Sequence, residues 1–158
     1  MNRLNNGNAL PILTLDTVGD GAVSVTHHLA GHYGVVLIYR GSWCPYCNAQ
    51  LSSFARAKEK LDELGIRVVA LSADNRADAA ALVEKHRLNF PVGYGVDVDK
   101  IASSTGAYVN DSPRCLQTTG FVLDPNGKVI TAVYSSGAIG RLVAEDVIGF
   151  VRYMKSKT

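Results

Sequence analysis

The sequence predicts one α/β domain built on a mixed sheet, and three observations carry that expectation. Two almost unbroken apolar runs, Gly34 to Tyr39 and Ile66 to Leu71, have the length and the Val/Leu/Ile content of strands buried on both faces. Each is followed by a helical pattern, which gives the strand–helix–strand–helix alternation of a parallel sheet. Downstream, Thr119 to Leu123 and Lys128 to Tyr134 flank Asp124-Pro125-Asn126-Gly127, a turn signal for an antiparallel pair. Both kinds of pairing in one chain of 158 residues make a mixed sheet, with residues 1–158 expected to form a single domain.

In chain order, Leu10 to Leu15 and Ala22 to Val25 read as short N-terminal strands around an Asp20-Gly21 turn. After the first buried run, Leu51, Phe54, Leu61 and Leu64 recur at helical spacing opposite Arg56, Lys60 and Glu63, and Gly65 is a natural stop. Asp74 or Asn75 can cap a helix running to about Arg87, with Lys85, His86 and Arg87 complementing its C-terminal dipole. Val98 to Thr105 reads as a short helix closed by Gly106. The chain ends in an amphipathic helix with Val143, Val147, Phe150, Val151 and Met154 on one face.

Composition bounds the function. The chain is 47% hydrophobic and 19% charged, and Lys plus Arg is 16 against 14 Asp plus Glu. The net charge of +2 is spread without basic blocks or interleaved aromatics, so a nucleic-acid partner is not expected. The polar start Met1-Asn2-Arg3-Leu4-Asn5-Asn6-Gly7-Asn8 lacks the apolar region of a signal peptide, and no apolar run approaches a membrane-spanning length. A membrane partner is therefore not expected. Three cysteines, two of them in a CxxC, argue for a reducing compartment, with a cytoplasmic location the expectation.

The chemistry is concentrated in Trp43-Cys44-Pro45-Tyr46-Cys47, at the junction between the first buried run and the helix after it. At the first turn of that helix, the Cys44 sulfur faces unsatisfied N–H groups and the positive end of the dipole, which favour the thiolate. Pro45 suits the first turn because its missing N–H costs nothing there, and it brings Cys47 round beneath Cys44 within bridging distance. Cys44 is thus the candidate nucleophile and Cys47 the candidate resolving thiol. A thiol of pKa about 8.5 is only about 3% thiolate at pH 7, and lowering it to roughly 6.5 takes roughly 2.7 kcal/mol. A helix N-terminus supplies about 0.3–2 kcal/mol, so charge-assisted contacts from a guanidinium or further amides are expected to help, and Arg40 is the nearest candidate. With this motif at the first helix, the βαβ half and the antiparallel ββα half describe a thioredoxin-like fold, a mixed central sheet flanked by helices.

The strings Val36-Leu37-Ile38-Tyr39-Arg40-Gly41-Ser42-Trp43-Cys44-Pro45-Tyr46-Cys47-Asn48-Ala49-Gln50-Leu51, Val68-Val69-Ala70-Leu71-Ser72 and Gly120-Phe121-Val122-Leu123-Asp124-Pro125-Asn126-Gly127-Lys128-Val129-Ile130 resemble the alkyl hydroperoxide reductase/thiol-specific antioxidant family, in its peroxiredoxin-like branch. The resemblance implies a thioredoxin fold and a peroxidatic cysteine at Cys44. It also marks departures. The family's proline seven and threonine or serine three residues before that cysteine are Leu37 and Gly41 here. The arginine of the late strand is replaced by Thr118, with Arg114 displaced four residues earlier. Thioredoxins carry a cis-proline where this chain has Thr118, whereas CPYC itself is the motif of glutaredoxins.

Other residues divide between functional and ordinary readings. Trp43 and Tyr46 are candidates for an apolar platform that partly desolvates Cys44 and receives substrate. Arg40 is either a thiolate stabiliser or a solvated charge. Cys115, without a close Cys or His neighbour in sequence, is a second resolving thiol, a regulatory thiol or a half-buried apolar residue. One CxxC supplies only half of a zinc or iron–sulfur site, so no metal and no cofactor is expected. His27, His28 and His32 sit in a polar connection and read as surface histidines. The expected function is a peroxiredoxin-like thiol oxidoreductase that takes a peroxide, is recycled by a thioredoxin- or glutaredoxin-type reductant, and has a homodimer as a candidate assembly. The alternative is a thiol–disulfide oxidoreductase acting on protein or small-molecule disulfides, with a non-catalytic binding module third.

Overall fold

The computed structural model describes residues 3–157. Its elements, in chain order, are β1 (Thr14–Thr17), β2 (Gly21–Ser24), α1 (Val25–Leu29), β3 (Tyr33–Ile38), α2 (Pro45–Arg56), α3 (Lys58–Glu63), β4 (Ile66–Leu71), α4 (Arg76–His86), β5 (Val92–Tyr94), α5 (Val98–Thr105), β6 (Val109–Asp111), β7 (Arg114–Leu116), β8 (Thr119–Leu123), β9 (Val129–Tyr134) and α6 (Ala144–Ser156). Seven strands form one sheet in the order β2-β1-β5-β4-β3-β8-β9, and β6 and β7 pair by themselves. β3, β4 and β5 run parallel, while β1/β2, β1/β5, β3/β8 and β8/β9 are antiparallel. This is the mixed, thioredoxin-like α/β sheet.

Alternate residues of the central strands feed two hydrophobic layers, as the strand period of two requires. Val35 and Leu37 of β3 face Leu51, Phe54, Leu61, Leu82, Val147 and Val151, so α2, α3, α4 and α6 cover one face. Val36 and Ile38 face Leu15, Val25, Leu29, Ile101 and Phe121, so α1 and α5 cover the other. Both layers contain strand residues with no solvent exposure, which is why the two central runs carry no polar alternation.

Differences from the sequence reading have local causes. The single helix read from Leu51 to Leu64 is broken at Ala57 (φ −88°, ψ 8°) into α2 and α3, although the apolar stripe runs on through Leu61. β1 begins at Thr14, because the chain from Leu10 buries apolar side chains against the sheet without joining it except through an Ala9–Lys128 bridge. His27 and His28 belong to α1, and His32 lies beyond its end. Val143 is the N-cap of α6 and half exposed rather than part of its buried face. The strands β5, β6 and β7, three residues each, are too short to show a period. Gly65, with φ +69°, and Gly106, with φ +83°, end their helices as expected.

Candidate active site

β3 ends at Ile38, and the chain turns over the carboxyl end of the parallel strands into α2. Cys44 is the N-cap of α2 (φ −89°, ψ 111°), with Pro45 in the first turn. Its sulfur accepts the Cys47 N–H at 3.3 Å, so a sulfur occupies the place usually taken by a capping oxygen. The turn is tied at both ends. Cys44 N–H donates to Gly41 C=O at 3.1 Å, Asn48 Nδ2 to Ser42 C=O at 2.9 Å, and Ser42 N–H to Asp74 Oδ2 at 2.9 Å. Burial raises the Asp74 carboxyl above its ordinary range, against the lowering effect of the Ser42 N–H.

Two of the departures from the family pattern follow from this geometry. Leu37 is bonded in register to both Ala70 of β4 and Gly120 of β8, so a proline there would remove a ladder hydrogen bond inside the sheet. A Cβ on Gly41 would lie 2.4 Å from Trp43 Nε1 and 3.0 Å from Asp74 Oδ1. Trp43 and Asp74 fill the space that a threonine or serine would need.

Both motif thiols are enclosed, with Cys44 1% and Cys47 0% exposed, whereas Trp43 and Tyr46 are 49% and 54% exposed. Each aromatic carries a guanidinium. Arg40 lies over the Trp43 ring at 4.8 Å and Arg141 over the Tyr46 ring at 5.9 Å. Arg40 also donates through Nε to Gln117 Oε1 at 2.9 Å and through its backbone N–H to Cys47 Sγ at 3.5 Å. Arg141 Nη2 donates to Thr118 Oγ1 at 2.7 Å, to Ala138 C=O at 2.9 Å and to Cys47 Sγ at 3.6 Å, while Thr118 Oγ1 stands 3.9 Å from Cys47 Sγ.

These contacts set the two thiols apart. Burial pushes Cys44 up, but the side-chain and backbone hydrogen bonds from Cys47, the Arg40 guanidinium and the Arg141 charge outweigh it, leaving Cys44 below the ordinary thiol value. Cys47 goes the other way, raised by burial and by its hydrogen bond to Cys44. The arrangement favours ionisation at Cys44 and disfavours it at Cys47.

All of Arg40, Trp43, Cys44, Pro45, Tyr46, Cys47 and Thr118 meet at this end of the sheet. Arg114 does not, and it pairs with Asp99 and Asp111 on the surface. Cys115 is buried and its thiol feels the Arg40 charge, so its isolation in sequence is not kept in space. Two participants, Arg141 and Gln117, carry no sequence signal. Arg141 belongs to the loop between β9 and α6, held because Gln50 Nε2 donates to Leu142 C=O at 2.8 Å and Leu142 packs on Gly120, where a Cβ would be 2.6 Å from its Cδ1. Gln117 is 6% exposed and bonds onward through Nε2 to Asn110 Oδ1 at 3.3 Å. Of the two cap candidates for α4, Asn75 takes the cap and Asp74 holds the CPYC turn through the Ser42 N–H.

The family model described as AhpC/TSA family matches residues 6–132. The chain belongs to the AhpC/TSA family. Among its relatives, "Thiol-disulfide oxidoreductase ResA" of Bacillus cereus is 30% identical over 121 residues, which cover 75% of this chain and 62% of that protein. A "Peroxiredoxin" of Treponema denticola is 26% identical over 145 residues, 89% of this chain and 69% of its own. The match thus spans less than two thirds of the first relative's length. In fold, the chain is similar to the peroxidoxin BcpB of Mycobacterium tuberculosis, with a TM-score of 0.82 at 17% identity over 96% of this chain and 99% of that one. Where the AhpC/TSA resemblance expects an arginine, this member has Thr118, and the guanidinium beside it is that of Arg141.

Proposed function

We propose that the chain is a peroxiredoxin-like thiol oxidoreductase, acting as a single domain without metal or organic cofactor. Cys44 thiolate attacks the distal oxygen of a peroxide, the O–O bond breaks, and Cys44 becomes a sulfenic acid as water or an alcohol leaves. Cys47 then attacks the Cys44 sulfur, releasing water and forming the Cys44–Cys47 disulfide, which an external dithiol of thioredoxin or glutaredoxin type reduces. Arg40 and Arg141 favour the Cys44 thiolate, and Arg141 with Thr118 faces Cys47. Trp43 and Tyr46 form the rim, and a shallow apolar groove between Tyr46, Leu142 and Val143 adjoins it as a place for substrate.

The observation that carries this reading is the Cys44 sulfur at a helix N-cap, where the Arg40 and Arg141 charges favour its thiolate, since only the thiolate is a competent nucleophile. A second reading, exchange with disulfides, is favoured by the same CPYC pair and by the ResA relative. The test mixes reduced protein rapidly with a stoichiometric peroxide and, separately, with a disulfide. A bimolecular peroxide rate no better than that of free cysteine removes the peroxidase reading, and a fast disulfide reaction then leaves the second.

No helix among the described residues is long and apolar enough to cross a membrane. A cytoplasmic location and a homodimer belong to this proposal, the first because a dithiol of this kind is reset in a reducing compartment.

A further inference from the structure

All three cysteines of the chain converge on one residue. The Arg40 backbone N–H donates to Cys47 Sγ at 3.5 Å, its Nε donates to Gln117 of the segment that carries Cys115, and its charge favours the thiolate at both Cys44 and Cys115. The β6–β7 hairpin makes this meeting structural. Cys115 of β7 is in register with Asn110 of β6, Asn110 Oδ1 accepts from Gln117 Nε2, and Gln117 Oε1 accepts from Arg40 Nε. The ring from Arg40 through Gln117 and Asn110 to Cys115 fixes a third sulfur beside the dithiol, buried at 3% exposure. Cys115 is buried but stands outside the two hydrophobic layers packed on the large sheet.

We propose that Cys115 is the third thiol of the redox site and the second intramolecular partner of oxidised Cys44. Resting on the oxidoreductase reading, the step is the attack of the Cys115 sulfur on the Cys44 sulfur. From the sulfenic acid, Cys44–S–OH and Cys115–SH give the Cys44–Cys115 disulfide and water. From a mixed disulfide, the same attack expels the substrate thiolate, and the Cys115 proton passes to solvent. The Arg40 guanidinium, whose charge acts on both thiols, stabilises the attacking Cys115 thiolate before the bond forms. Cys47 is the faster partner because it is already hydrogen-bonded to Cys44, whereas burial raises the Cys115 thiol. Cys115 therefore captures Cys44 when Cys47 is blocked, and the product fastens the β6–β7 hairpin to the start of α2. No second molecule is needed, since thiols held in one cluster react at high effective concentration.

The test uses full-length Cys47→Ser protein, with Cys47→Ala as the second variant should serine disturb the packing. One portion receives one equivalent of hydrogen peroxide. Another receives one equivalent of an activated aromatic disulfide, which loads Cys44 without any peroxidase step. Remaining thiols are alkylated and the peptides mapped. Both portions are expected to lose two thiols per chain and to yield an intrachain Cys44–Cys115 peptide, with a second equivalent of aryl thiolate released in the aromatic portion. A Cys47→Ser/Cys115→Ser double variant is expected to keep the sulfenic acid or the aryl mixed disulfide. If loaded Cys44 persists while Cys115 is fully alkylated, or if the bridges run between chains, the inference is overturned. If peroxide leaves Cys44 reduced while the aromatic portion gives the bridge, the peroxidase reading fails and this inference stands.

Discussion

Two helices leave the same end of the sheet after neighbouring parallel strands, and their first turns are built for different ends. α4 begins as a stable helix should. Asn75 Oδ1 accepts the Asp78 N–H at 2.8 Å, and Asp78 adds a carboxylate to the positive end of the dipole. α5 follows the same recipe with Asp97 and Asp99. α2 has a thiol as its cap, a longer 3.3 Å contact and no acidic residue in its first turn. The difference teaches what the site gives up. With no carboxylate to compete, the N-terminal field of α2 and two arginines act on sulfur, and a weaker cap is the cost.

The largest effect is expected from Cys44→Ser, which supplies the oxygen cap that α4 already has. Thiol chemistry is expected to disappear, with no burst of peroxide consumption in rapid mixing, while stability by denaturant titration stays level or rises by about 0.5–1 kcal/mol. A parallel loss of stability would mean that the sulfur is a structural cap.

Next in size is Arg141→Met, with Arg40→Met as its counterpart. Because Cys44 is held below the ordinary thiol value, the midpoint of its alkylation-rate profile in the wild type is expected at a lower pH than that of a free thiol. Removing either cation moves that midpoint upward, slowing reaction at neutral pH while the plateau at high pH is retained. The sign for stability is the same: the thiolate's contribution is present above the unfolded-state pKa and lost as pH falls through the lower folded value. An unmoved midpoint in Arg40→Met would return Arg40 to the status of a surface charge.

Tyr46→Glu gives α2 the first-turn acid that α4 has. A helix gain of about 0.3–1 kcal/mol is expected together with a raised Cys44 midpoint, opposite effects read by denaturation and by thiolate absorbance. The smallest effect on the chemistry belongs to Asn75→Ala. It should cost about 1 kcal/mol of stability and leave the Cys44 titration where it was.

The sequence alone determined the parts that rest on local chemistry. Two buried runs without polar alternation, the Asp124-Pro125-Asn126-Gly127 turn, Gly65 and Gly106 at helix ends, and Pro45 after Cys44 each act within a few residues, so the mixed sheet and the place of the dithiol were legible from their order. The boundaries that shifted, such as the break at Ala57 and the start of β1, depend on packing against other elements, which spacing does not encode. Only the tertiary structure decided which charges face the thiols. Arg114, near Thr118 in sequence, points to Asp99 and Asp111, whereas Arg141 is carried in by a loop anchored through Leu142 on Gly120 and Gln50. It also decided that Cys115, 71 residues from Cys44 in sequence, shares its arginine. The reason is physical: a pKa depends on the field at the sulfur, which falls off with distance through space, and the folded sheet sets that distance whatever the separation along the chain.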